Sequence, residues 1–340
     1  MAKILIIKMS ALGDILHTLP AVTDALKDQP DLIIDWLCEE PFVDIARLHP
    51  GVRQVIPHGR LRWKKQRLAM ATLKEQWSFY RWLREQNYDL VIDAQGRIKS
   101  ARVAWLSGAP VVGIDRHCVT DPETRFFYKE SYSISASNAI EKIRQLFSQA
   151  LGYPLTDGID FGIDIKKLND CPEQWQNNLI FFHGTTWDSK HWPEEYWVEL
   201  LLLAKQADKK VLLPWGNAKE QERAHRLVSE SGWGEVLPKY SLWELSSIIA
   251  YSSGAVGVDT GLMHVAAGIG IPTVSIFGST SVVLTGAMGE KVTNLQSDYE
   301  CSPCRLKLCP KVDINCTPPC YSCLPAQNVW AALIDVQGAI

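Results

Sequence analysis

In this 340-residue chain, the groups best placed to do chemistry gather at one turn between a short apolar run and a helix-length segment. From Gly254, the run Ala255 to Val258 leads through Asp259-Thr260-Gly261 into small and apolar residues that Gly268, Gly270 and Pro272 close. This pattern predicts a buried strand, a turn and a helix. The first N–H groups of such a helix lack partners within it, and its dipole adds partial positive charge, so the turn suits a phosphate. Gly261 would let a ligand approach the backbone, Thr260 would add a hydroxyl donor, and His264 lies one turn further on. Taken alone, the same residues also fit a helix cap at Asp259 and a core histidine at His264.

Three other groups carry potential chemistry. Asp14, in the loop after the opening strand, suits either a general base or a helix cap. That loop holds only Gly13, whereas a dinucleotide fingerprint needs Gly-x-Gly-x-x-Gly, which counts against a nicotinamide oxidoreductase. Arg60, Arg62, Lys64, Lys65, Arg67 and Lys74 form a basic run with no acidic residue among them. Such a run is usually a solvated face; with Trp63 interleaved it also suits an anionic acceptor near a membrane surface, and Lys99 would add charge. Finally, six of nine cysteines fall in Cys301-x2-Cys304-x4-Cys309-x6-Cys316-x3-Cys320-x2-Cys323. The two Cys-x-x-Cys pairs suit a structural zinc at Cys301, Cys304, Cys320 and Cys323, or else the segment is a loop of reduced thiols.

The elements that must hold these groups alternate between strand and helix. Apolar runs at 4–7, 32–37, 52–56, 90–92 and near Val111 predict strands, with helices over 15–26 (Asp14 at or near its N-cap), 66–86, 97–106 and 137–151. Turn formers over 152–178 predict an interdomain connection. Strands at 180–182, 210–213, 255–258 and 273–277 then alternate with helices from Pro193 to Ala207, over 219–231, and after the capping-box pair Ser241 and Glu244. The expectation is α/β: a Rossmann-like domain over 1–160, a second over 175–325 that includes the cysteine segment 301–323, and a closing helix over 326–340. The net charge of −3 opposes a globally basic nucleic-acid binder. No run approaches 18 apolar residues and the chain opens directly on a strand, which predicts a cytoplasmic protein. Of thirteen tryptophans, Trp63, Trp187, Trp192 and Trp215 stand near loop openings where they suit a ligand or membrane surface, with packing as the ordinary role for most of them.

Read together, these stretches resemble the lipopolysaccharide heptosyltransferases of glycosyltransferase family 9. The resemblance rests on Lys8 to Pro20 with its Leu-Gly-Asp-Ile-Leu-His-Thr-Leu-Pro core, Val55-Ile-Pro before Arg62-Trp-Lys-Lys65, and Val91-Ile-Asp-Ala-Gln-Gly96 with Lys99-Ser100. It continues through Lys190-His-Trp-Pro-Glu194, Pro214-Trp-Gly216 with Glu220 and Glu222-Arg223, and Val258-Asp-Thr-Gly261 with His264. It implies a GT-B fold and transfer of L-glycero-D-manno-heptose, with inversion, from ADP-heptose to the Kdo of Kdo-lipid A. A family member with another acceptor or donor, or a non-catalytic nucleotide-sugar-binding protein, is the alternative.

By the same resemblance Asp14 is the base. Thr185, Thr186, Lys190, Glu220, Asp259, Thr260, Gly261 and His264 hold the donor, with Glu220 on the ribose and Asp259 on the heptose hydroxyls. Ser10, Gly13, Arg62, Lys64, Lys65, Gln95 and Lys99 hold the acceptor. Lys190, the threonines and the helix terminus would neutralise the leaving diphosphate, leaving no cofactor, Mg²⁺ included, required for catalysis. The resemblance places the protein at the cytoplasmic face of the inner membrane. After Val112 to Asp115 this chain has Arg116 and His117, where the family carries an arginine a few residues on, so the acceptor is expected to differ in detail.

Overall fold

The computed structural model describes residues 1–66, 69–312 and 317–338, so Arg67 and Cys316 lie outside the described residues. The chain divides into two compact units, Met1–Asp164 and Ile165–Ile340. The first unit contains β1 (Lys3–Ile7), β2 (Ile33–Glu39), β3 (Val52–His58), β4 (Leu90–Asp93), β5 (Val111–Ile114) and β6 (Glu130–Tyr132). The second contains β7 (Leu179–Phe182), β8 (Val211–Leu213), β9 (Glu235–Val236), β10 (Gly254–Val258), β11 (Thr273–Phe277) and β12 (Val292–Gln296).

The central strands of both sheets are apolar runs because helices cover both faces: Leu5, Ile6 and Ile7 are fully buried, as are Val256 and Val258. Each sheet is parallel, in the orders β3-β2-β1-β4-β5-β6 and β12-β11-β10-β7-β8-β9. Both are the doubly wound order, which reverses direction between β1 and β4 and again between β7 and β10. Ligands bind such sheets outside the carboxyl ends of the strands at that reversal. The loops after β1, β4, β7 and β10 are therefore where function is to be sought.

Two helices differ from expectation in a way that matters for the site. The segment expected as one helix over 15–26 forms two, Leu12–Leu16 and Leu19–Asp28. Pro20 lies in the first turn of the second, where its missing N–H leaves no intrahelical bond unmade. Asp14 is therefore not the N-cap residue of the longer helix but the third residue of a short one, where its side chain caps the Ala11 N–H. Likewise the segment expected over 66–86 is Met70–Glu85, preceded by a separate helix, Arg60–Lys65. This shorter helix buries Trp63, whose ring lies 4.8 Å from that of His58 and 5.7 Å from Phe79.

In the second unit Trp192 is a core residue rather than a ligand-facing one. It is fully buried, packs edge-on to Trp197 and donates its indole N–H to the Leu324 carbonyl at 3.0 Å. The Ala326–Gly338 helix adds Val329, Leu333 and Val336 to the same core. Among the described residues no helix is long and apolar enough to cross a membrane.

Candidate active site

The β7/β10 reversal assembles most of the residues expected to bind a donor. The Gly261–Ile269 helix starts directly after β10, with Thr260 as its extended N-cap residue. Asp259, at the strand end, is buried, and its carboxylate takes Lys190 Nζ at 2.7 Å on one oxygen and lies 3.5 Å from His264 Nε2 on the other. Burial alone would raise the Asp259 pKa, but His264 and Lys190 outweigh it and hold the carboxyl well below the usual range. Thr185, in the loop after β7, donates its hydroxyl to the Asp259 carbonyl at 3.2 Å. The Asp259 turn and the Thr185 loop are thus tied together. Thr186 is exposed beside them.

Glu220 belongs to the next strand end. It accepts from the Gly216 N–H at 2.6 Å and from the Asn217 side chain at 2.8 Å. A Cβ on Gly184 would come within 2.7 Å of its carboxyl carbon, so only glycine lets this carboxylate lie across the ends of both β7 and β8. Lys190 also has company that the sequence did not signal. Its ammonium stands 4.7 Å over the Trp187 ring, and Lys307 lies 5.7 Å from that ring.

In the first unit the β1/β4 reversal holds Asp14. Its carboxylate, half-buried, accepts from the Ala11 N–H at 3.0 Å. Gln95, expected on the acceptor, has its side-chain oxygen engaged by the Met9 and Ser10 N–H groups at 3.0 and 3.1 Å. Lys8 Nζ bonds the Ala94 carbonyl at 2.9 Å. The loop carrying Ser10, Gly13 and Asp14 is thereby fastened to the loop after β4.

That second loop is anchored in turn by Asp93, whose fully buried carboxyl accepts from the Gln95 and Gly96 N–H groups, Ser100 Oγ and Tyr128 OH. Burial nevertheless pushes Asp93 up to about 6. The folded chain therefore holds a proton that the unfolded chain, with an ordinary value of about 3.9, releases. This contribution is complete below about pH 4 and is lost as pH rises through about 6, amounting at most to roughly 3 kcal/mol. Between pH 4.5 and pH 7, wild type should lose stability relative to Asp93→Asn in urea unfolding; parallel pH profiles would show that the carboxyl stays ionised throughout.

Beside this loop a cavity of about 580 Å³ is lined by Arg60, Lys64, Lys99 and Arg102 with His58, Trp63 and Tyr80 among its walls. Burial, then the neighbouring Arg60, lowers the Lys99 pKa. Lys64 and Lys99 were expected here; Arg60 stood in the basic run without an assigned role, and Arg102, three residues after Lys99 on the same helix, had none either. Arg62 instead forms ion pairs with Glu75 at 2.6 Å and Glu40 at 3.0 Å, and Lys65 is exposed. The cysteines also sort differently. Cys301, Cys304 and Cys320 line one small pocket, but the fourth thiol there among the described residues is Cys309, while Cys323 interacts with Asp298 and Ser322.

Two doubly wound units, one with a phosphate-ready helix terminus and one with a carboxylate after its first strand and a cationic cavity of its own, define a GT-B glycosyltransferase. Residues 76–314 match Glycosyltransferase family 9 (heptosyltransferase), and the chain belongs to that family. It is 43% identical over 310 residues to lipopolysaccharide heptosyltransferase 1 of Pseudomonas aeruginosa, covering 90% of this chain and 87% of that one. The corresponding protein of Escherichia coli K12 is 39% identical over 292 residues, 85% of this chain and 91% of that one. The solved structure of E. coli heptosyltransferase WaaC with ADP matches with a TM-score of 0.85 and 34% identity, over 98% of this chain and 99% of that one. The protein is a heptosyltransferase of lipopolysaccharide synthesis.

Proposed function

We propose that this enzyme transfers L-glycero-D-manno-heptose from ADP-heptose to a Kdo hydroxyl of Kdo-lipid A, with inversion in one displacement. The observation that carries the donor assignment is the Lys190–Asp259–His264 cluster at the start of the Gly261–Ile269 helix. It joins cationic charge and free helix N–H groups for a diphosphate to a carboxylate for sugar hydroxyls. Glu220, across the β7 and β8 ends, suits a ribose, since a carboxylate accepts two neighbouring O–H groups. E. coli WaaC has also been solved with ADP-2-deoxy-2-fluoro heptose, a relative's ligand that agrees with this reading.

In the reaction the acceptor oxygen bonds to the anomeric carbon as the bond from that carbon to the β-phosphate oxygen breaks. Asp14 receives the acceptor proton, and ADP departs with the bonding electrons. Lys190 and the helix terminus meet the charge that grows on the departing oxygen, so transfer should proceed without added Mg²⁺. The cavity of Arg60, Lys64, Lys99 and Arg102 suits the carboxylate and phosphates of the acceptor.

Association with the cytoplasmic membrane face is supported by the helix bordering that cavity. Met70, Leu73 and Trp77 are exposed on it at 68%, 46% and 63%, a stripe at helical spacing that suits an acyl-chain boundary, with Lys74 and Arg81 for anionic headgroups. The test is transfer of labelled heptose to Kdo-lipid A and to a heptosylated acceptor. Product on the first supports the reading. Product only on the second moves the enzyme to a later step of core assembly.

A further inference from the structure

Among the described residues four thiols line one small pocket of the second unit that the transfer chemistry does not use. Cys301, Cys304, Cys309 and Cys320 line it together with Ser189, Ser279 and Ser302, and its interior is about 10 Å³, close to the ~10–15 Å³ that one water needs. The space is thus sized for a single small body. A water would need two to four polar partners, but the hydroxyls around it are already committed. Ser189 Oγ donates to the Leu306 carbonyl and meets Ser279 Oγ, and Ser302 Oγ donates to the Gly278 carbonyl. Besides these hydroxyls, Gly278, Pro318 and Pro319 line the space with the four sulfurs, which are weak partners for water and strong ligands for a soft divalent cation.

The chain arrangement fits the same occupant. Cys301 and Cys304 supply a Cys-x-x-Cys pair, Cys309 follows at the end of the same loop, and buried Cys320 comes from the turn at 319–323. The other three thiols lie close enough to Cys320 to act on it electrostatically. Among the described residues no group of three or more His, Cys, Asp or Glu side chains is placed to hold a metal ion as the chain stands. The sulfurs therefore have to draw inward on an ion, which a loop of mostly exposed residues over 303–310 can do without moving the core.

We propose that Cys301, Cys304, Cys309 and Cys320 form a structural tetrathiolate zinc site that fixes the 301–309 loop against the Ser189–Lys190 turn. Four thiolates are the donor set of a closed zinc site, and a closed site has no open position for chemistry. The loop it would fix is the one that braces the donor lysine. Ser189 donates its N–H to the Lys307 carbonyl at 3.2 Å, Arg305 donates its N–H to the Ser279 carbonyl at 2.7 Å, and Tyr321 OH donates to the Ser189 carbonyl at 3.2 Å. Lys190 follows directly. Zinc ligation thus reaches the donor site through the backbone, and this last link rests on the donor assignment above.

Metal analysis of the protein purified under reducing conditions tests the site independently of activity. About one zinc per chain is expected in wild type and in Cys323→Ser, falling to a small fraction in Cys309→Ser. Cobalt substitution should give thiolate-to-cobalt charge-transfer absorption that Cys309→Ser abolishes, and zinc removal should lower the melting temperature by ~5 °C or more. Should Cys309→Ser fail to fold, the wild-type and Cys323→Ser metal contents decide. No stoichiometric zinc in wild type, a disulfide among the four cysteines, or loss of zinc from Cys323→Ser would each overturn the assignment. If zinc is present and stabilising but its removal leaves ADP affinity unchanged, the site stands and its coupling to the donor lysine fails.

Discussion

Replacing Asp14 with asparagine is expected to slow heptose transfer by roughly a hundredfold to ten-thousandfold, the range for a lost general base, while ADP-heptose binding and melting temperature stay near wild type. Asparagine separates two roles of this side chain. Its amide oxygen can still accept from the Ala11 N–H, the bond that Asp14 makes at 3.0 Å, but it cannot take a proton from a sugar hydroxyl. Asp14→Ala should lose the same rate and, in addition, about 1 kcal/mol of stability from the abandoned N–H. A rate loss in alanine but not in asparagine would reduce Asp14 to a helix-terminus group. Gln95 supplies an internal comparison, because it fastens the same loop through Met9 and Ser10. Gln95→Ala should lower kcat less than Asp14→Asn does, and Gln95→Glu, which keeps an acceptor oxygen, should recover much of the loss. Equal activity in all three Gln95 proteins would show that the loop holds its position without this residue.

The sequence pointed to Asp14 and Asp259 for one physical reason: in a parallel doubly wound sheet the functional groups follow strand ends, and those strands are short apolar runs that glycine and turn residues delimit, whereas Lys190 was marked only by the family resemblance. Where that signal is weak, the reading failed. Strands β6, β9 and β12 went unrecognised because Glu130-Ser-Tyr132 and Glu235-Val236 are too short and polar to form an apolar run, and Val292–Gln296 is only half-buried along its length. Asp14 was placed at a helix cap because the break before Pro20 depends on how two short helices pack, which spacing does not encode. The structure does not gather the two Cys-x-x-Cys pairs into one pocket. Two Cys-x-x-Cys pairs look alike on paper, but the turn at 319–323 buries Cys320 in the pocket and leaves Cys323 beside Asp298. The cavity wall from Arg102 was legible but not taken up: it lies three residues after Lys99 on the same helix, the spacing that puts both cations on one face.

Lys190 is the other position where one substitution should have a large effect, and the double mutant reveals which kind. Lys190 and Asp259 are 15% and 7% exposed and 2.7 Å apart, so Lys190→Ala leaves a buried carboxylate with only His264 opposite it. Breaking a buried pair by removing one partner costs on the order of 3–5 kcal/mol, chiefly from the charge left uncompensated. If Lys190 also meets the departing diphosphate, transfer should fall by ~10²–10³, as for loss of one preorganised stabilising group. The two consequences separate in Lys190→Ala/Asp259→Asn. Neutralising Asp259 removes the stranded charge, so urea unfolding should show most of the stability restored. The cation is still missing, so transfer should remain at or below the Lys190→Ala level and ADP affinity should stay weakened. Recovery of transfer together with stability would mean that Lys190 acts only by balancing Asp259, and that the helix terminus alone carries the diphosphate charge.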